Sequence, residues 1–228
     1  MKKIIIPFFC AVLFSTSVAA QQKSAPVKAA VATQSSLSSQ QVIDNYIKAL
    51  GGKAKLEAVK SSVTDNTLSV QGMEIAMTTK KMGNKFRSEQ SVMGQKMIQV
   101  FDGEKGYMDQ MGQKMDIPAD KIAELKKSKV IDALAYDASN FKTVNVEKID
   151  GKDYNVLSSD KGKFYFDAAT GLLYKSETKE GNAFVKSYMT VDGIQFPADI
   201  EAEGGGQKVA IKTTKVVLNS GVTDADFK

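Results

Sequence analysis

Residues 71–113 read QGMEIAMTTKKMGNKFRSEQSVMGQKMIQVFDGEKGYMDQMGQ. Turn-forming pairs break this stretch at short intervals: Gln71-Gly72, Gly83-Asn84, Gly94-Gln95, Asp102-Gly103 and Gly112-Gln113. Glycine and its Asp or Asn neighbours accept the positive φ that tight hairpins need. Between the turns Met73, Ile75 and Met77 alternate with Glu74, Ala76 and Thr78, the pattern of a half-buried strand. The same punctuation continues through Asp150-Gly151, Lys161-Gly162, Thr170-Gly171, Glu180-Gly181, Asp192-Gly193 and Gly204-Gly205-Gly206. The spacing predicts one long antiparallel meander of about ten to twelve strands, the pattern of barrels and sandwiches. Pro197 predicts an edge or strand-end position.

Before the meander, Ser38 and Gln41 form a capping box, with Leu37 placed to staple onto Val42. Val42, Ile43, Tyr46, Ile47 and Leu50 then recur at helical spacing, and Gly51 offers a left-handed stop. A second short helix is predicted over 53–60, with Leu56 and Val59 inward. The meander is interrupted once, over 119–138, where Ile122, Leu125, Ile131 and Leu134 recur at helical intervals behind Pro118. Lys126, Lys127 and Lys129 break that apolar face, which allows two short helices. Such an insertion must lay its apolar side on the sheet, either closing the core or covering a cavity.

The first twenty residues have the form of an export signal: Lys2 and Lys3, an apolar run from Ile4 to Phe14, and a small-residue site at Val18-Ala19-Ala20. The run is too short to span a bilayer. Residues 21–36 read as a flexible leader and 37–228 as one domain, expected outside the cytoplasm. The only cysteine, Cys10, lies within the apolar run, and the chain has no His and no Trp. The mature chain is therefore without disulfides and must be held by its core. With Lys2 and Lys3 removed, the net charge falls from +5 to +3, with both signs interspersed and no basic block. Neither nucleic acid nor an integral membrane role is implied.

The absence of His and of a mature Cys excludes triads, thiol nucleophiles and histidine zinc sites, so an enzyme is not expected. Ser158 and Lys161 form one Ser-x-x-Lys spacing, at a predicted hairpin turn. No cofactor is predicted. Methionine is the anomaly: after Met1, all but Met189 fall between Met73 and Met115, and Met-Gly-Gln-Lys-Met occurs at both 93–97 and 111–115. Three readings remain open: ordinary core filling, an adaptable surface for a flexible ligand, and copper(I) held by thioethers such as those of Met93 and Met97.

The segment Lys85-Phe86-Arg87-Ser88-Glu89 through Val100-Phe101-Asp102-Gly103-Glu104-Lys105-Gly106-Tyr107 resembles the periplasmic lipoprotein carrier LolA and its relatives. Leu50-Gly51-Gly52-Lys53, the hairpin from Phe164 to Leu173 and the ending from Val217 to Phe227 resemble the same family in the same order. The resemblance implies a mainly β fold with α: an unclosed antiparallel half-barrel of about eleven strands covered by short helices. It also implies an apolar space that receives a lipid acyl chain or acylated lipoprotein, as in outer-membrane lipoprotein sorting. Some relatives instead serve as interaction or envelope-stress sensor modules with a protein partner. Met73, Ile75, Met77, Phe86, Ile98 and Val100 are the expected lining. Ile122, Leu125, Ile131 and Leu134 are the expected lid, where charge reversal at Ile131 or Leu134 should leave the sheet folded. The family holds its lid with an arginine preceding a proline; Lys80-Lys81-Met82-Gly83 carries neither here.

Overall fold

The computed structural model describes residues 33–92 and 94–228, so the signal stretch, most of the leader and Met93 lie outside the described residues. Helix α1 (Ser39–Ala49) starts as its sequence predicts: the Ser38 hydroxyl accepts from the Gln41 amide, and the Gln41 side chain accepts from the Ser38 amide. Its apolar stripe, Val42, Ile43 and Tyr46, is buried. Gly51 follows with φ +130°, and its need for glycine is proximity: a Cβ there would meet the Gly193 carbonyl oxygen at 2.6 Å. Helix α2 (Lys53–Ala58) turns Leu56 fully inward.

Fourteen strands form one sheet: β1 (Thr33–Gln34), β2 (Ser61–Val70), β3 (Met73–Met82), β4 (Lys85–Val92), β5 (Gln95–Phe101), β6 (Gly106–Gln110), β7 (Gln113–Asp116), β8 (Thr143–Ile149), β9 (Lys152–Ser159), β10 (Gly162–Asp167), β11 (Leu173–Thr178), β12 (Asn182–Val191), β13 (Ile194–Gly204) and β14 (Gln207–Leu218). The spatial order is β1-β8-β9-β10-β11-β12-β13-β14-β2-β3-β4-β5-β6-β7, every pair antiparallel. β1 and β7 remain as edges, so the barrel is unclosed. Thr33–Gln34, within the stretch expected to be leader, pairs with β8, and Ser35 bonds to both Val144 and Asn155. The ordered domain therefore begins ahead of Leu37.

Pro197 lies inside β13 rather than at its end. The sheet accommodates it because β14 pairs with β13 only from Asp199 onward and the β12 register shifts on either side of Ser187. The insertion after Pro118 gives a short helix α3 (Ala119–Leu125), then 3₁₀ turns at Asp132–Ala135 and Ala138–Asn140.

The main core lies between α1, α2, the 130–141 segment and one face of the sheet. Val42, Ile43, Tyr46, Leu50, Leu56, Val59, Ile131 and Ala133 pack there with Leu157, Phe164, Phe166 and Ile194. Tyr136 sits among rings, edge-on to Tyr46, Phe164 and Phe166 and stacked on Phe141. A smaller cluster of Val185, Ile200 and Ile211, with Leu68 and Tyr188 against it, carries the same face across to β2.

Candidate functional site

In an antiparallel ladder, residues in register share a face and neighbours along a strand alternate. Ser62 pairs with Leu218, which packs into the main core, so the even-numbered residues of β2 face the helices. The unbroken registers from β2 to β7 extend that face through Met73, Ile75 and Met77, then Ser88, Gln90 and Val92, then Met97 and Gln99, and finally Met108 and Met115. Its only charged residue is Lys81. Asp65, Glu74, Lys80, Lys85, Arg87, Glu89, Lys96, Asp109, Lys114 and Asp116 all project from the opposite face. Apart from Lys81, the inner face of β2–β7 is thus a neutral surface of methionine, aliphatic, amide and hydroxyl side chains, with the buried Phe86–Phe101 ring pair at one end. It continues directly from a packed core, yet Met73 and Met115 remain 45% and 49% exposed.

Lys81 is the exception that holds the cover. Its ammonium bonds to Asp132 at 2.7 Å, tying β3 to the 130–141 segment. Lys80-Lys81-Met82-Gly83 has no arginine, and its Lys81 supplies a cationic tie instead. Alternation along β3 puts Lys81 on the same face as Met73, Ile75 and Met77; its partner, 51 residues away, carries no local signal. Two further ion pairs hold α3 across the mouth: Lys126 with Glu104, in the β5–β6 turn, and Glu124 with Lys161, in the β9–β10 turn, at 2.8 Å. No residue of α3 is buried. The strap is held by charges at its rim, while the segment after it is held by rings and aliphatics.

The expected lining divides. Met73, Ile75, Met77 and Phe86 share the inner face, but Ile98 and Val100 do not. Ile98 pairs with Glu89 and Val100 with Arg87, on the outer face. The expectation failed by one residue of parity: Phe101, paired with Phe86, is the inward residue of β5. Val100 is nevertheless buried because the C-terminal 3₁₀ turn (Asp224–Phe227) clamps the outer face. Its register partners Arg87 and Tyr107 both donate to that turn or its end, and Lys80 and Lys85 pair with Asp226 and Asp224. The Lys80 hydrogen bond, followed by the Thr223 amide, holds the Asp226 carboxyl below its ordinary range.

The expected lid divides as well. Ile131 is buried in the main core and Leu134 packs against it. A charge placed at Ile131 would therefore fall in the main core, against the expectation that the sheet would stay folded. Ile122 and Leu125 are half-buried on α3 and belong to neither cluster on the inner face.

Burial pushes the hydroxyls of Tyr46, Tyr136 and Tyr188 well above the ordinary tyrosine pKa, with the Asp132 charge adding to the first two. They are neutral core groups; Tyr188 donates to the Leu173 carbonyl at 2.7 Å. The Lys161 side chain is bonded to Glu124, away from a pairing with Ser158. The Met97 thioether accepts from the Gln90 amide at 3.7 Å. Its expected copper partner, Met93, lies outside the described residues. Among the described residues, no group of three or more His, Cys, Asp or Glu could hold a metal. A separate cleft of about 430 Å³ opens between α1 and the β10–β11 turn, lined by Asn45, Lys48, Asn155 and residues 167–171. It does not touch the methionine face. No helix of the described residues is long and apolar enough to cross a membrane.

The chain matches no protein-family model and no curated protein. Solved structures do match. One is a DUF1329 family protein from Desulfovibrio piger ATCC 29098, with TM-score 0.56 and 13% identity over 83% of this chain and 96% of that one. Another is a putative outer membrane lipoprotein-sorting protein domain from Vibrio parahaemolyticus, with TM-score 0.55 and 11% identity over 83% of this chain and 97% of that one. At such identities the likeness is one of fold. The fold is LolA-like, as the sequence motifs implied.

Proposed function

We propose that this is a non-enzymatic periplasmic binding protein that holds a lipid acyl chain, free or carried by a lipoprotein, against the inner face of β2–β7. The observation that carries the reading is the segregation of charge. Ten charged residues project from the outer face of these strands, and the inner face carries Lys81 alone. A neutral, partly exposed sheet face continuous with a core is the kind of surface that marks a binding site. Each methylene laid on it contributes about 0.8 kcal/mol, so one chain can bind without a dedicated polar contact. Methionine suits the role because its flexible thioether repacks around irregular shapes. Segment 119–141 is the cover, with α3 as the movable part and Ile131 as its fixed root.

The test is lipid extraction and mass spectrometry of the protein purified from a bacterial envelope, together with uptake of a synthetic lipopeptide. Bound acyl lipid near one per chain, lost in Ile75→Glu while near-ultraviolet circular dichroism is kept, supports the proposal. A folded protein that is empty and takes up no lipopeptide sinks it, and leaves an envelope interaction module as the alternative for this fold.

A further inference from the structure

Among the described residues, the large hydrophobic side chains that stand exposed are all methionines: Met111 at 61%, Met115 at 49% and Met73 at 45%. Their positions differ in a useful way. Met73 and Met115 lie on the neutral inner face, on β3 and on the edge strand β7, where Met115 pairs directly with Met108. Met111 sits in the β6–β7 turn with φ +55°, outside the paired strands. Met77, Met97 and Met108 are only half-exposed, and Met97 already accepts a hydrogen bond from Gln90. The one cysteine of the chain is Cys10, so any thiol-based response of the 33–228 domain is ruled out and thioethers are its only oxidisable sulfur.

We infer that Met73 and Met115, at separate places on the neutral face, are two reversible sulfoxidation sites that set how tightly that face holds its ligand, an inference that rests on the acyl-binding reading above. The oxidant is a two-electron donor of oxygen of the peroxide class. The sulfur lone pair attacks the terminal peroxide oxygen, the O–O bond breaks, an S–O bond forms and water leaves. A dithiol reductase reverses the step, releasing the oxygen as water and closing its own disulfide. A thioether is a soft apolar group, whereas a sulfoxide is a strong dipole that prefers water to an acyl chain. The inner face bears no charged group near β7 to offset it. Oxidation therefore releases ligand, and reduction restores binding. Met111, the most exposed of the three, lies off the face and serves as an internal control.

The experiment treats the purified chain with hydrogen peroxide, removes the oxidant, maps sulfoxides by peptide mass spectrometry and titrates a dansylated fatty acid. The expected result is oxidation of Met111, Met115 and Met73 ahead of Met77, Met97 and Met108. Affinity then falls roughly tenfold and returns on treatment with methionine sulfoxide reductase. Met73→Leu/Met115→Leu keeps its affinity through the same treatment, while Met111→Leu does not protect. Sulfoxides at 73 and 115 with unchanged affinity overturn this inference alone, as does an equal loss in the double variant. Loss of near-ultraviolet circular dichroism on oxidation overturns it too, since release would then be damage. A reduced protein that takes up no probe overturns the acyl-binding reading, and this inference with it.

Discussion

The two limbs of this sheet are filled by opposite means. On the β8–β13 limb the inner face meets Tyr46, Tyr136, Phe141, Phe164 and Phe166, rings whose centroids lie 5.1–6.2 Å apart. On the β2–β7 limb the same face has the Phe86–Phe101 ring pair at one end and otherwise offers methionine, aliphatic, amide and hydroxyl side chains, with Met73 and Met115 open to solvent. Rings in contact leave no space and few rotamers, so the first limb is a structural core. Unbranched thioethers keep many rotamers and reshape cheaply, so the second limb can take a guest. One continuous face thus has a close-packed half and a half that is free to repack.

Core truncation tests that division most severely. Phe166→Ala should cost about 3–5 kcal/mol, a large part of a typical domain's stability, and Met77→Ala only about 1 kcal/mol. Urea midpoints check this, and equal losses would mean both limbs are load-sharing core. Next in size is the binding effect. Ile122→Glu on α3 should weaken lipopeptide uptake roughly tenfold with little change in urea midpoint, whereas Ile131→Glu should unfold the protein. Uptake unaffected by Ile122→Glu would remove α3 from the cover.

Smaller effects should follow from the ties between limbs. Lys81→Ala removes the bond to Asp132 and should cost no more than about 1 kcal/mol, since both side chains remain partly exposed. Amide exchange should nonetheless quicken over 130–141, and unchanged exchange there would show that the rings alone hold the segment. The slightest effect should be the acid response of the C-terminal clamp. The Asp226 carboxyl is held below its ordinary value of 3.8 in the folded protein, so its contribution is present above that value and lost as pH falls through the lower folded one. Asp226→Asn should lower the urea midpoint at pH 6 and converge with wild type near pH 2; a constant difference would assign the loss to the turn geometry instead.

Much of the fold was legible because its signals are local. The Ser38–Gln41 capping box, the hairpin turns and the period-two strands each depend on residues a few positions apart. So does the placing of Met73, Ile75 and Met77 on one common face. The misreading of Ile98 and Val100 shows the limit of that locality. Both are apolar and next to inward positions, and only the register Phe86–Phe101 settles which parity of β5 faces the helices. Val100 reads as lining because it is apolar, but it is on the outer face, where the C-terminal turn buries it.

By itself, the sequence determined the elements, the antiparallel meander and the presence of an amphipathic interruption after Pro118, since these follow from periodicity and turn chemistry. Tertiary structure alone decided which of those residues meet. Leu218 brings β14 beside β2, Asp132 finds Lys81, and the last residues fold back over Val100. The physical reason is chain closure: alternation says that a residue has two faces to choose from, and only long-range pairing says which face looks inward.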